Sequence, residues 1–123
     1  YKDATKSAVE IEHLWRHNPH ANVAVACGVV SGVVVLDVDM HVGGANGLET
    51  LRQLEATNGF LPPTWRSATP NGGQHYWFLP PRWCLPTRTN IAPGLDMLPE
   101  RGSAAAPPSR ASSRARRWSC STS

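Results

Sequence analysis

The stretch Val33-Val34-Val35-Leu36-Asp37-Val38-Asp39 runs four apolar side chains straight into two carboxylates one residue apart. A short apolar run rich in β-branched residues reads as a buried strand. Side chains alternate along a strand, so Asp37 and Asp39 point to the same face. Two like charges on one face repel and resist burial. A hard divalent cation, Mg²⁺ or Mn²⁺, resolves the conflict because it prefers carboxylate oxygen. The alternative is a strand that ends in two solvated acids, and a DxD by itself does not choose between them.

A chain of 123 residues with 41% hydrophobic content predicts one domain with a modest core. The valine-rich stretch 29–38 is broken by Ser31, Gly32 and Asp37, and nothing has the pattern of a membrane span or a secretory signal. Cys27, Cys84 and Cys120 form no CxxC pair, which points away from a zinc ribbon or a disulfide scaffold and towards a reducing cytoplasm. The net charge of +3 is unevenly spread. Residues 1–100 hold 7 Lys/Arg and 9 Asp/Glu, a balance of −2, while 101–123 hold 5 Arg and no acid. The body of the chain is therefore not a basic nucleic-acid-binding slab. It would have to engage nucleotides through local groups and metal.

Ser7-Ala8-Val9-Glu10 fits a capping box, and Ala8, Ile11, Leu14 and Trp15 fall on one face of the helix it opens, which Asn18-Pro19 ends. His13 and His17 have metal-ligand spacing but no third ligand, so a solvated helix face is the better reading. Val23–Cys27 reads as a strand joined by a Gly28–Gly32 turn to the DxD strand, which suggests a hairpin. Gly43-Gly44 allows irregular backbone beside the acids. Leu48, Leu51 and Leu54 mark a second helix, stopped by Asn58-Gly59 with Pro62-Pro63 beyond.

In Thr69–Phe78 a glycine turn feeds an aromatic strand on which His75 and Trp77 face one way and Gln74, Tyr76 and Phe78 the other. Gly72 and Gly73 let backbone N–H groups approach an anion such as a phosphate, and His75 could add a donor to it. Read alone, His75 also fits a satisfied sheet histidine. Residues 80–93 are proline-rich and irregular and carry Arg82 and Arg88, after which Asp96 stands as an isolated acid between apolar residues. It could cap a turn, or it could join the first two acids at a metal. Residues 101–123 are mostly Ala, Ser and Arg without periodicity and read as disordered.

The order DxD, glycine turn with G-x-H, then a single Asp resembles the archaeo-eukaryotic primase superfamily, and within it the bifunctional DNA primase/polymerase N-terminal (prim-pol) domain. The matching residues are Asp3-Ala4-Thr5, Asn22 to Gly28, Val30-Ser31-Gly32, Val34 to Asp39, Thr69 to Phe78, Pro93-Gly94-Leu95-Asp96 and Pro107-Pro108-Ser109. The resemblance implies an α/β (α+β) fold, with a mixed or antiparallel sheet, flanking helices and a core like the RNA-recognition motif. It implies template-directed nucleotidyl transfer in plasmid, phage or bacterial DNA replication. Asp37, Asp39 and Asp96 would hold two divalent metals, Mg²⁺ or Mn²⁺, and act as the catalytic residues. His75, with Gly72 and Gly73, would meet the incoming nucleotide. The implied partners are DNA template and primer and nucleoside triphosphates, with a replicative helicase domain as a further candidate and no membrane.

Against that pattern, residues 1–109 read as an N-terminally truncated catalytic domain and 110–123 as a disordered Arg/Ser/Ala tail. Gly102–Ala106 stands where the family carries a glycine-tyrosine-valine strand, so the strand expected to support Asp96 reads as weak or absent. Two other functions compete: a catalytically inactive remnant that binds nucleotide or nucleic acid, and a DxD glycosyltransferase. The short chain and the G-x-H motif argue against the second.

Overall fold

A computed structural model describes residues 4–28, 31–41, 43–80, 90–98, 103–106 and, for the backbone, 119–122. The order of elements is α1 (Ala8–His17), β1 (Ala24–Ala26), β2 (Val34–Val38), α2 (Gly47–Asn58), β3 (Trp65–Ala68), β4 (Gln74–Phe78), β5 (Leu95–Leu98), β6 (Ser103–Ala105) and β7 (Ser119–Thr122). The fold is α+β, with two antiparallel sheets and two helices among the described residues. β5-β2-β4-β3-β7 form the larger sheet, and β1 and β6 form the smaller.

β2 lies inside the larger sheet, and its valines are buried on both sides. One face carries Leu36 and Val38, which pack with Leu51 of α2 and Leu95 of β5, flanked by Tyr76, Phe78 and Met97. The other carries Val35, which packs with Cys27, just after β1, and Ala104 of β6, flanked by Trp77 and Leu98. A strand buried on both faces reads as a continuous apolar run, which is what residues 33–36 present. Each fully buried Val or Leu contributes about 1.5–3 kcal/mol.

α2 starts where the Asn46 side chain accepts the Glu49 N–H at 3.1 Å and stops at Gly59, whose φ of 93° suits glycine. Leu51 is buried and Leu48 packs beside it, whereas Leu54 points largely to solvent. α1 is capped by Ser7, which accepts the Glu10 N–H at 3.4 Å. The reciprocal half of the expected box runs through Thr5, whose hydroxyl accepts the Ser7 N–H at 3.1 Å and donates to the Glu10 carboxylate. α1 buries no residue. The His13 and His17 rings meet tilted at 43° on its exposed side, where the His17 ring donates to the His13 carbonyl at 2.8 Å. No described helix is long and apolar enough to cross a membrane.

The architecture differs from expectation in five places. β1 does not form a hairpin with β2. It pairs with β6, and the link to β2 is a single bridge between Gly28 and Val33. The turn after Gly28 curls back on its own carbonyl, which accepts from Ser31 and Gly32, and this separates the two strands. Residues 103–105, read as too alanine-rich for a strand, form β6, with Ala104 at 1% exposure. The small side chain fits where the two sheets meet, so packing overrides propensity. Asp96 sits in a strand of its own, β5, paired with β2. β3 was not anticipated, and β7 forms inside the stretch read as a disordered tail. Arg82, Arg88, Cys84 and residues 107–118 lie outside the described residues.

Candidate active site

Antiparallel pairing places directly opposed side chains on the same face. The register sets Asp96 opposite Asp37, Asp37 opposite His75, and His75 opposite Ser67. One row across four strands therefore reads Asp96–Asp37–His75–Ser67, on the face that Val35 and Trp77 share. His75 Nε2 lies 3.2 Å from Asp37 Oδ1, with the imidazole 5% exposed and the carboxylate 20%. The pair is close enough for charge to act between them. Yet Asp37 Oδ1 is buried and accepts no aligned hydrogen bond. The Trp77 indole stands edge-on to the His75 ring at 6.0 Å and donates through Nε1 to Ser67 Oγ at 2.9 Å. The imidazole is thus walled in by β3 and β4, with Asp37 on its other side. Asp96 accepts from the backbone N–H of Asn90, a residue with φ of 56°.

Asp39 follows at the end of β2, and its backbone is gripped from two directions. Its N–H donates to the Gly94 carbonyl and its carbonyl accepts from the Gly47 N–H, each at 2.8 Å. These approaches require glycine. A Cβ on Gly47 would fall 2.2 Å from the Gly94 carbonyl oxygen and 2.7 Å from that of Asp39. Gly73 completes the grip, because a Cβ there would fall 2.3 Å from the Val38 carbonyl oxygen. The start of α2, the start of β5 and the β3–β4 turn therefore all close on Val38-Asp39. The sequence reading does not single out Gly47, and it quotes Gly94 only within the Pro93–Asp96 motif. Their available signals were a glycine at the mouth of a helix and one directly before the Leu95-Asp96 pair.

Burial raises the Asp39 carboxyl above its ordinary value, and the Asp37 charge raises it further. His41, with Nε2 4.0 Å from Asp39 Oδ2, pulls the other way, Asp96 adds to the rise and His75 opposes it. Asp37 and Asp96 thus both act on Asp39. The glycine turn is less open than expected. The Gly72 N–H already donates to the Thr69 carbonyl at 3.1 Å, and the Gly73 carbonyl accepts from Thr69 at 2.9 Å. Gly73 is small because β2 lies against it.

Residues 1–122 match the family model of the bifunctional DNA primase/polymerase N-terminal domain. The chain belongs to that family. Comparison with curated proteins and with solved structures gave no match.

Primase/polymerase domains of this family are typically metal-dependent, and the acids of this one carry a charge that suits a cation. Asp37 and Asp96 face each other directly, Asp37 Oδ1 lacks a donor, and burial and the neighbouring acids raise the Asp39 carboxyl above its ordinary value. These carboxylate oxygens are the donors that hard divalent ions take. Among the described residues, however, no three His, Cys, Asp or Glu side chains form a ligand-ready cluster. The primase/polymerase fold supplies the charge at this site without a closed coordination sphere.

Proposed function

We propose that this chain is the catalytic domain of a DNA primase/polymerase that performs template-directed nucleotidyl transfer in DNA replication. Asp37, Asp39 and Asp96 are the carboxylates that would hold Mg²⁺ or Mn²⁺. The observation that carries the reading is the register pair Asp37–Asp96, with Asp39 directly after β2 and within reach of both charges. Bound at these oxygens, divalent ions would supply positive charge for the attacking 3′-hydroxyl and the departing pyrophosphate.

The chain's own contribution is placement. The Gly47–Asp39–Gly94 backbone contacts fix the chain at the end of β2, where Asp39 follows Asp37. Asn90 holds the Asp96 carboxylate from its outer side. His75 is the residue assigned to the incoming triphosphate, at the Gly72-Gly73 turn. Its ring is fixed by Trp77 and lies against Asp37, so a phosphate would reach it across the Asp37 side.

Extension of a primed template by the isolated chain, with and without divalent metal, tests this reading. Metal-dependent extension that Asp37→Ala abolishes supports it. Extension that survives in Asp37→Ala removes the catalytic assignment. A second reading, an inactive remnant that binds nucleotide without turnover, is favoured by the open acid arrangement and the covered imidazole. Nucleotide binding without extension would select it.

A further inference from the structure

α1 carries two imidazoles that the chemistry above does not use. His13 and His17 are exposed and four residues apart, so they share a helix face one turn above the other. Their ring centres stand 4.3 Å apart. The His17 nitrogen that meets the His13 carbonyl is Nδ1, at 2.8 Å. A carbonyl oxygen accepts, so this nitrogen carries the proton. The neutral His17 ring therefore presents Nε2 as a lone pair. Metal-binding imidazoles are held in this way, with the second ring nitrogen donating to a backbone carbonyl or carboxylate. Four-residue spacing alone selects no tautomer, whereas the bond to the His13 carbonyl does.

The ring separation narrows the ion. A metal about 2.0–2.1 Å from one nitrogen of each ring sits about 3.2 Å from each ring centre. Two rings at a right angle around it then stand about 4.5 Å apart, and two at the tetrahedral angle about 5.2 Å. The observed 4.3 Å falls beside the right-angle value. Among ions that favour imidazole, right angles describe Ni²⁺ and Cu²⁺ rather than tetrahedral Zn²⁺. Mg²⁺ and Mn²⁺, which suit the acid row, prefer oxygen. The Arg16 charge on the same turns is answered by Glu12 at 2.6 Å, which lessens its repulsion of a cation. Among the described residues no third His, Cys, Asp or Glu completes a cluster, so water would fill the remaining positions.

We propose that His13 and His17 chelate a nitrogen-preferring divalent ion of right-angle geometry, Ni²⁺ or Cu²⁺, which clips the last turns of α1. α1 buries no residue, so its order depends on its own caps and side-chain links. An ion bridging two turns binds the helical form and not the frayed one, and holds the helix by mass action. The site stands apart from the acid row and does not rest on the nucleotidyl-transfer reading.

The test is calorimetric titration of the full chain with Ni²⁺, in excess Mg²⁺ so that the acid row does not take the probe. Wild type should bind Ni²⁺ more tightly than Zn²⁺. His13→Asn and His17→Asn should each weaken Ni²⁺ binding about tenfold or more. His20→Asn, beyond the end of the helix, should leave it unchanged. Amide hydrogen exchange on the same proteins reads the clip. At free Ni²⁺ ten times the Kd, exchange within α1 should slow about tenfold in wild type and stay unchanged in His17→Asn. Equal Ni²⁺ binding by wild type and both variants overturns the proposal, as does no binding by wild type. Tighter binding of Zn²⁺ than of Ni²⁺ overturns the right-angle assignment. Histidine-dependent binding without slower exchange in α1 overturns the clip, because a chelate across two turns must order them.

Discussion

Asp37 and Asp96 occupy directly opposed positions on neighbouring antiparallel strands, with both carboxylates on one face of the sheet. Like charges placed so are destabilising by roughly 0.2–1 kcal/mol. The fold softens the repulsion without removing it, through the Asn90 N–H on Asp96 and the His75 ring beside Asp37. Asp96→Asn keeps an acceptor for Asn90 and removes one charge. It should therefore raise the urea stability of the metal-free protein by about 0.2–1 kcal/mol. A lower urea midpoint in this variant would show that the pair is not under repulsion.

Asp39 makes stability depend on pH in a definite direction. Burial first, then Asp37, raise its carboxyl above the ordinary value, so the folded protein holds this proton more tightly than the unfolded chain does. The penalty is present at neutral pH and is relieved as pH falls through the raised value. Metal-free wild type should therefore gain stability relative to Asp39→Asn on mild acidification. Stability curves that run parallel for the two proteins between neutral and mildly acid pH would contradict the assignment.

Gly47 holds α2 against the Asp39 backbone. A methyl group there overlaps two carbonyl oxygens that belong to backbone rather than to flexible side chains. Gly47→Ala should destabilise by about 1–3 kcal/mol or more, and should weaken metal binding by displacing Asp39. Chemical denaturation checks the first effect and metal titration the second. A wild-type result in both would mean that the contact is dispensable.

His75 should act at the nucleotide. His75→Ala should raise the apparent nucleotide KM about tenfold or more, the scale of a lost hydrogen bond to a charged group, with a smaller change in metal requirement. It should also lower thermal stability, because the imidazole is a buried part of the sheet. Steady-state kinetics against nucleotide and against metal separate the two. A changed metal requirement at constant nucleotide KM would make His75 a partner of Asp37 alone.

The acids were legible in sequence because alternation within a strand is a local rule. The run 33–39 states its own two-faced burial, and the DxD spacing states that both acids share a face. The Asp37–Asp96 pairing was suggested by motif order, but its register depends on β5 lying beside β2, which no local pattern encodes. The hairpin expected between Val23–Cys27 and β2 failed for a related reason. Gly28 and Gly32 permit more than one path, and the chain chose the one that lets β1 meet β6. Ala104 misled because β propensity averages over surfaces, whereas a crowded junction of two sheets selects for small volume. The glycines around Asp39 were visible as residues but not as contacts, since their partners lie on three separate elements.

The most direct measurement is Mn²⁺ binding followed by electron paramagnetic resonance, with wild type compared with Asp37→Asn, Asp39→Asn and Asp96→Asn. If the three carboxylates form one cation-binding centre, wild type takes up Mn²⁺ saturably and each substitution weakens that uptake, at unchanged fold by circular dichroism. Saturable uptake that is the same in all four proteins, or none in wild type, would contradict it.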